Sequence, residues 1–376
     1  MKFNKLLISF LSITCLAFSS CNDWNEPKQE EIDHIGGNNT ISPEKRDAYY
    51  ASLREWKKSA ENYQRPVSFG WFSNWAPSGA IRKGYLAALP DSIDMISMWS
   101  GPFNISKEKI ADKEYVQKVK GTKVFVCYIL HNIGTGITPS SVEEKVRKDN
   151  PNLSESDIND KIKKATEEYW GYTSGVQGSP DHIKAIQKYA KVLYDSIEKY
   201  NYDGLDIDWE PMGAGDGFGN LKSYNNEPGK YLHILVEELG KYMGPKSGKD
   251  NHKLLIVDGE LGNVSKESAP YFDYFIEQAY GSYVGELNYR SNRLKKHFGE
   301  YYSTKKHIFT ENFESYSQSG GSLLTQAKWN PSSGPKGGVG AYRLDNDYDN
   351  SPDYKWMRKA IYYMLKSFEE FNKNNP

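Results

Sequence analysis

Eight short apolar runs alternate along this chain with longer segments whose apolar residues have helical spacing. The runs cover residues 67–72, 95–99, 124–130, 204–209, 254–258, 274–279, 307–311 and 338–343. Most are bounded by polar or glycine-containing turns, and helix-like segments such as 181–200, 230–242 and 352–371 separate or follow them. Eight parallel β/α units of this kind predict a (β/α)8 TIM barrel. The 376 residues are enough for one such barrel, and no internal repeat or second globular domain is evident.

The fourth run and the residue directly after it carry three carboxylates at alternate positions, Asp206, Asp208 and Glu210. Side chains at such spacing project to one face of a strand, so the three acids must crowd together at one end of the barrel. Crowding raises the pKa of at least one carboxyl group, as a general acid requires. A strand end that binds a cation or faces solvent is the alternative, but the apolar residues that alternate with the acids favour a strand packed on its other face. The active site of a TIM barrel lies at the C-terminal ends of its strands, where Asp208 and Glu210 fall.

Charge and composition exclude several classes of protein. With 48 basic and 49 acidic residues the chain has no electrostatic footprint for nucleic acid or for an anionic membrane surface. The 28 tyrosines and 9 tryptophans suit stacking on sugar rings, although they could equally belong to the scaffold. The seven histidines lack the i, i+4 pairing of a helical zinc site, and no Gly-x-Ser-x-Gly elbow of a serine hydrolase occurs.

The N-terminus has the pattern of an export signal. Lys2 and Lys5 precede an apolar run over 6–18, which is too short to cross a membrane as a mature helix, and two serines stand directly before Cys21. This arrangement resembles a bacterial lipoprotein signal, in which Cys21 carries the lipid anchor. The predicted organisation is a signal peptide at 1–21, a flexible tether at 22–42 and a single barrel domain at 43–376. We therefore expect an exported lipoprotein of the outer membrane or cell surface, attached to the membrane only through the lipid on Cys21.

Cys127 is the only cysteine in the predicted barrel, so no disulfide is expected within it. It lies in the apolar run 124–130, and this favours an inert core thiol over a reactive one.

Residues 203–210 read Asp-Gly-Leu-Asp-Ile-Asp-Trp-Glu. This is similar to the Asp-Gly-x-Asp-x-Asp-x-Glu signature of glycoside hydrolase family 18, which includes chitinases and endo-β-N-acetylglucosaminidases. The order of predicted elements extends the resemblance over roughly residues 65–370.

Three further segments resemble the endo-β-N-acetylglucosaminidase branch of that family. The third strand reads Tyr-Ile-Leu-His-Asn-Ile-Gly-Thr-Gly over 128–136, without the Ser-x-Gly-Gly pattern of chitinases. The eighth strand ends in Tyr342 where chitinases usually have Trp. Gln278 and Tyr280 resemble the pair that approaches the substrate's acetamido group on the sixth strand, and their equal parity predicts that both face the barrel centre.

The resemblance implies an enzyme that cuts the GlcNAc-β1,4-GlcNAc core of N-glycans with retention, using the substrate's own acetamido group, with no metal and no organic cofactor. Glu210 would be the acid and base, Asp208 would orient the acetamido group, and Asp206 would share a proton with Asp208. The substrate-binding residues implied are Gln278, Tyr280, Tyr342, Asn132 and Met212. A glycan-binding protein of the same fold that has lost turnover, and a chitinase-type hydrolase, are the alternatives.

Overall fold

The computed structural model describes residues 43–79, 82–99, 103–211, 219–222 and 227–375. Eight parallel strands form a closed barrel in which each strand pairs with the next in sequence and the eighth pairs with the first. The strands are β1 (Val67–Phe72), β2 (Met95–Met98), β3 (Lys123–Ile129), β4 (Gly204–Trp209), β5 (Leu254–Gly259), β6 (Tyr274–Glu277), β7 (His307–Asn312) and β8 (Gly338–Tyr342). The predicted (β/α)8 barrel is confirmed.

Helices surround the barrel. Within the described residues they are α1 (Pro43–Lys58), α2 (Lys107–Tyr115), α3 (Ser140–Asp149), α4 (Glu155–Trp170), α5 (Pro180–Lys199), α6 (Lys230–Leu239), α7 (Val284–Phe298), α8 (Phe313–Tyr316), α9 (Leu323–Lys328) and α10 (Lys355–Asn374). Three of them, α3 to α5, lie between β3 and β4, whereas the described parts of the β1–β2 and β5–β6 connections hold only 3-10 turns. No helix in the described part of the chain is long and apolar enough to cross a membrane.

Four strands end earlier than the sequence predicts: β2 and β3 each stop one residue short, at Met98 and Ile129, and β6 and β8 end at local turns. Strand β6 stops at Glu277 instead of 279, because the N–H of Ala279 turns back to the carbonyl of Glu277 at 2.8 Å. Strand β8 stops at Tyr342, because Arg343 adopts a left-handed backbone conformation with φ 50°. Gln278 and Tyr280 therefore project from the loop above β6 and not from the strand itself.

The barrel interior is packed with apolar side chains below its C-terminal end. Phe69, Phe125, Ile256 and Ile308 are fully buried there, and each contributes roughly 1.5–3 kcal/mol by leaving water. Gly204 makes room for this layer, since a Cβ at that position would lie 2.7 Å from Cε1 of Phe125. Strand β4 therefore begins with a glycine that packs against this apolar layer and ends with the acids above it.

Polar contacts close the opposite, N-terminal end of the barrel. Lys57 of α1 donates to the carbonyl of Ile93 and to the hydroxyl of Thr122, just before β2 and β3. Arg65 forms a bidentate, buried ion pair with Asp94 at 2.7 and 3.0 Å. With this end sealed, the C-terminal end is the open one, and the acid-bearing strand ends there.

Candidate active site

Strand β4 places two of the predicted acids inside the barrel and the third at its mouth. Asp206 and Asp208 are buried at 0% and 1% exposure, and Glu210 is half-buried just beyond the strand. Trp209 points the other way, into the layer between sheet and helices, and its Nε1 donates to the carbonyl of Asn263 at 3.0 Å. The alternation of side chains along the strand thus places the acids on its inner face and the apolar residues on its outer face.

A fourth acid, Asp258 at the end of β5, joins this group. It is paired in register with Asp208 and is buried at 1% exposure. The acid motif of β4 does not predict Asp258. The sequence feature that could have indicated Asp258 is its position as the last residue of the predicted fifth run, which places it at the same end of the barrel as Asp208.

Asp206, the deepest acid, is held by two donors. Nε1 of Trp71 donates to its Oδ2 at 2.9 Å, and the hydroxyl of Ser97 donates to the same oxygen at 2.6 Å. Burial raises the pKa of Asp206, and the hydrogen bonds from Ser97 and Trp71 oppose that shift. Strands β1 and β2 therefore fix the lower acid through side chains that are not among the site residues predicted from sequence.

The cluster holds protons at neutral pH. Burial, then the charge of Glu210, raises the pKa of Asp208 to about 8. Burial, then the charges of Asp208 and Asp206, raises the pKa of Asp258 well above its usual range. One oxygen on each of the three aspartates is buried and has no partner outside the cluster among the described residues. Carboxyl groups that face one another in this way share protons, because unpaired buried charges are costly.

Cys127 adjoins the same cluster, and its thiol can be considered as a metal ligand. A sulfur or oxygen atom of each of Cys127, Asp206 and Asp258 lies within 4.8 Å of the others. Burial, then the charges of the aspartates, raises the pKa of the Cys127 thiol well above its usual range, which disfavours the thiolate that a metal needs. Shared protons account for the unpaired oxygens, so these residues fit proton storage better than a cation.

Gln278 connects Glu210, the acid at the mouth, to Asp258. Its Nε2 donates to Oε1 of Glu210 at 3.1 Å and to Oδ1 of Asp258 at 3.1 Å. Tyr280 lies close by, and burial, then the charges of Asp258 and Asp208, raises the pKa of its hydroxyl far above the usual range. The hydroxyl of Tyr280 therefore remains protonated and can donate a hydrogen bond. Both residues reach the barrel centre, as their parity predicts, although they do so from a loop.

Aromatic rings line one side of this mouth around Tyr342. The ring of Tyr342 lies 5.7 Å from that of Trp99, 6.2 Å from Trp71 and 6.4 Å from Tyr280. Trp71 and Trp99 come from β1 and from the residue after β2, and neither is among the site residues predicted from sequence. The barrel mouth therefore has acids on one side and aromatic rings on the other, a composition suited to binding a sugar ring.

A family model described as glycoside hydrolase family 18, BT1044-like, matches residues 26–167 and 155–363 of the chain. These ranges include all eight strands and the acid motif. The chain belongs to glycoside hydrolase family 18. The resemblance drawn from residues 203–210 is confirmed, and the chain is a glycoside hydrolase.

Individual relatives carry the name of the predicted branch. The chain is 25% identical over 307 residues to endo-β-N-acetylglucosaminidase F2 of Elizabethkingia meningoseptica, covering 76% of this chain and 75% of that protein. It is 26% identical over 215 residues to endo-β-N-acetylglucosaminidase EndoS of Streptococcus pyogenes serotype M1, covering 46% of this chain and 21% of that protein. The predicted endo-β-N-acetylglucosaminidase branch is confirmed.

Solved structures agree with this family membership. A selenomethionine form of BT1044 with one Glu-to-Gln substitution has a TM-score of 0.68 at 29% identity, covering 88% of this chain and 95% of that one. The endo-β-N-acetylglucosaminidase of Cordyceps militaris has a TM-score of 0.55 at 22% identity, covering 84% and 95% of the two chains, and shares the fold.

In this family 18 barrel, residues after β3 contact the segment that follows β4. His131 Nε2 lies 3.2 Å from the backbone carbonyl of Glu210, and the carbonyl of His131 accepts a hydrogen bond from the N–H of Leu221. Asn132 is exposed, and its carboxamide oxygen accepts from the N–H of Asn220 at 3.2 Å. The structure thus gives Asn132 a loop-holding contact, and its predicted role in substrate binding stays a prediction.

Two other predicted residues, Met212 and Cys21, lie outside the described residues. Asp203, at the start of the family 18 motif, has a structural place. Its Oδ2 accepts from the N–H of Val124 at 2.8 Å and from Nε2 of Gln117 at 2.7 Å, so it ties β4 to β3 below the site.

Proposed function

We propose that this family 18 glycosidase cuts the GlcNAc-β1,4-GlcNAc core of N-glycans by a retaining, substrate-assisted reaction. The observation that carries the proposal is the placement of one half-buried acid, Glu210, above a buried, protonated group of aspartates, with Gln278 linking the two levels. The names of the curated relatives support the linkage. An enzyme of this class needs one catalytic acid, because the 2-acetamido oxygen of the substrate attacks the anomeric carbon.

Glu210 is the acid and base of the proposed reaction. It is the member of the group that reaches the mouth, where the glycosidic oxygen of an entering chain would lie. It protonates that oxygen as the bond breaks and then takes a proton from the water that opens the oxazoline-like intermediate. The backbone contact from His131 and the hydrogen bond from Gln278 limit the positions that Glu210 can adopt.

Asp208 orients the acetamido group. A pKa of about 8 leaves Asp208 mostly neutral in the free enzyme at pH 7. When the acetamido N–H of the substrate donates to Asp208, the proton of Asp208 moves to Asp206, because Asp258 already holds a proton. The ionised Asp208 then stabilises the positive charge that develops on the acetamido group. The buried cluster thus keeps Asp208 neutral in the free enzyme and lets it ionise when the substrate binds.

Tyr280 and the aromatic residues complete the pocket. The protonated hydroxyl of Tyr280 donates to the acetamido oxygen and directs it at the anomeric carbon. The rings of Tyr342 and Trp99 provide apolar faces for the sugar that carries the acetamido group, and the buried ring of Trp71 supports Tyr342 from below. This accounts for an N-acetylated sugar at the cleaved position.

Mass spectrometry of a native N-glycoprotein tests the proposed linkage. Wild-type enzyme should leave a single GlcNAc on asparagine, and Glu210→Gln should leave the glycoprotein intact. Glu238→Gln serves as a control. Glu238 is a largely buried glutamate of the outer helix α6 that pairs with Lys241, and the Glu238→Gln variant should cleave the glycoprotein as the wild type does. An unchanged glycoprotein, together with cleavage of chitin oligomers, would instead identify a chitinase-type hydrolase.

We also propose that the chain is an exported lipoprotein anchored at Cys21, with a tether at 22–42 before the barrel. The support is the pattern of residues 1–21 described above. Expression in a Gram-negative host with a radiolabelled fatty acid tests this proposal. The wild type should carry the label and sediment with membranes, whereas Cys21→Ser should lose both. A labelled Cys21→Ser protein would contradict it.

A further inference from the structure

Arg343 occupies an unusual backbone position beside the pocket. It directly follows Tyr342, the last residue of β8, and has φ 50° and ψ 49°. Residues other than glycine seldom adopt this left-handed conformation, and those that do often lie at binding sites, where neighbouring structure holds them in place. The conformation turns the chain at the C-terminal end of the barrel, the end that carries the acids.

The guanidinium of Arg343 lies over the aromatic side of the mouth. Its Cζ is 5.9 Å from the ring centroid of Tyr342, and its Nη1 is 2.9 Å from Oε1 of Glu314 on α8. The side chains of Arg343 and Glu314 are 36% and 51% exposed. Nε of Arg343 is buried without a hydrogen-bond partner among the described residues. The exposed part of this ion pair therefore lies next to the ring that borders the pocket.

Stability alone does not explain this arrangement. An ion pair as exposed as this one contributes little to the free energy of folding. A buried, unpaired Nε and a left-handed backbone both oppose folding. Polar groups that lower stability and lie beside a pocket are characteristic of sites where a bound ligand supplies the missing hydrogen bonds.

We propose that Arg343 and Glu314 form a subsite for a neutral sugar of the glycan, the one next to the cleaved GlcNAc on its non-reducing side. A sugar hydroxyl both donates and accepts, so adjacent hydroxyls fit a guanidinium beside a carboxylate. Because Glu314 offsets the charge of Arg343, the pair favours a neutral, polyhydroxylated ring over an anionic one. This inference rests on the proposed function and adds a residue that selects the glycan beyond the cleaved GlcNAc.

Binding measurements in the inactive Glu210→Gln background test the subsite without turnover. Calorimetry would compare a neutral N-glycan released from glycoprotein with N-acetylglucosamine alone. Arg343→Ala should weaken binding of the neutral glycan about tenfold or more and change binding of N-acetylglucosamine by less than about twofold. Arg343→Lys should also lose affinity for the glycan, since it keeps the charge without the planar fork.

Arg54→Ala provides the matched control, because Arg54 donates to the carbonyl of Val119 at the N-terminal end of the barrel. It should bind both ligands as the parent does, and the melting temperatures of all variants would show that they are folded. Equal loss of both ligands in Arg343→Ala, or no loss of either, would overturn the subsite. Tighter binding of a sialylated glycan that depends on Arg343 would overturn its neutral class. Failure of the parent Glu210→Gln protein to bind any N-glycan would overturn the proposed function itself, and the subsite with it.

Discussion

Asp208 shows how one residue can be costly for the fold and useful for the reaction. Its alternation with Asp206 and Glu210 predicts that the three acids share a face, and the structure places them as the sequence requires. Asp258 could not be predicted in the same way, because it lies on another strand and the local sequence pattern does not reveal the register between strands. The same holds for Trp71 and Ser97, whose contacts with Asp206 depend on barrel closure.

Replacing Asp208 by Asn should stabilise the protein while removing activity. The pKa of Asp208 is about 8 in the folded state and 3.8 for an isolated aspartate side chain, so folding takes up a proton between these values. The stability that neutral Asp208 contributes is therefore fully present below about pH 4 and is lost as the pH rises toward 8. Asn does not titrate, so the gain in the free energy of unfolding should grow over that range and reach about 2 kcal/mol or more.

Urea unfolding of both proteins at pH 5 and pH 8 would measure this difference. A stability gap that stays constant or shrinks at the higher pH would contradict the assigned pKa of Asp208. Turnover of the glycoprotein by Asp208→Asn should fall by about 100-fold or more, because the acetamido group loses its oriented, ionised partner.

Asp258 should tolerate an amide better than an apolar side chain. Protonated Asp258 donates a hydrogen bond within the cluster and accepts one from Gln278. Asn can also donate and accept, so Asp258→Asn should keep turnover within about tenfold of the wild type, whereas Asp258→Leu should lose about 100-fold. Steady-state kinetics on the same glycoprotein would compare the two, and equal activity of both variants would show that Asp258 has no part in positioning the cluster.

At the scale of elements, the strands were predictable and their ends were less so. Apolar runs with period two identify β-strands, but the ends of β6 and β8 depend on a local turn at Ala279 and on the left-handed Arg343. The loops that meet at the mouth were not predictable. The link from β3 to the β4–α6 loop passes through Asn220, whose partners lie on three other segments.

Gly204→Ala should destabilise the barrel through the start of β4. The added Cβ would lie 2.7 Å from Cε1 of Phe125 and would also meet the backbone carbonyl of Leu254, which no change of side chain can relieve. We expect a loss of about 2 kcal/mol in the free energy of unfolding, with only partial recovery when Phe125→Leu is added. Gly262→Ala, where a Cβ meets nothing within 4 Å, is the control, and an equal effect of both alanines would contradict this packing.

Asn220→Ala should lower turnover as well as stability. Its Oδ1 accepts from the N–H of Ile133 at 2.7 Å, its Nδ2 donates to Glu167, and its carbonyl lies 2.8 Å from Nε2 of His182. Loss of the side chain leaves the buried N–H of Ile133 without a partner, at a cost of about 1–3 kcal/mol, and loosens the loop that leads back to Glu210. We expect kcat to fall about tenfold with a smaller change in KM.

Asn330→Ala is a suitable comparison for Asn220→Ala, because Asn330 also bridges backbone groups but does so beside α10, at Ser367 and Lys336. Thermal unfolding should show a loss of stability in both variants, and only Asn220→Ala should lose kcat. If the two variants lost activity in proportion to stability, the role of Asn220 would be purely structural.

In the whole molecule, the barrel is predicted by the periodicity of the sequence, whereas the site is predicted only in part. Eight apolar runs and their helices determine closure, and closure brings the ends of β4, β5, β6 and β8 to one mouth. The acids of β4 follow from sequence, and the residues that surround them follow only from the closed barrel. In the proposed reaction one acid, Glu210, is enough because the substrate provides its own nucleophile.

The stereochemistry of the product tests that claim most directly. Proton NMR recorded during cleavage of a glycopeptide would follow the anomeric signal of the GlcNAc at the new reducing end of the released glycan. Attack by the acetamido group followed by water gives two inversions, so the β anomer should appear first and convert slowly to the equilibrium mixture. An α anomer as the first product would require direct attack by water and would contradict the substrate-assisted mechanism.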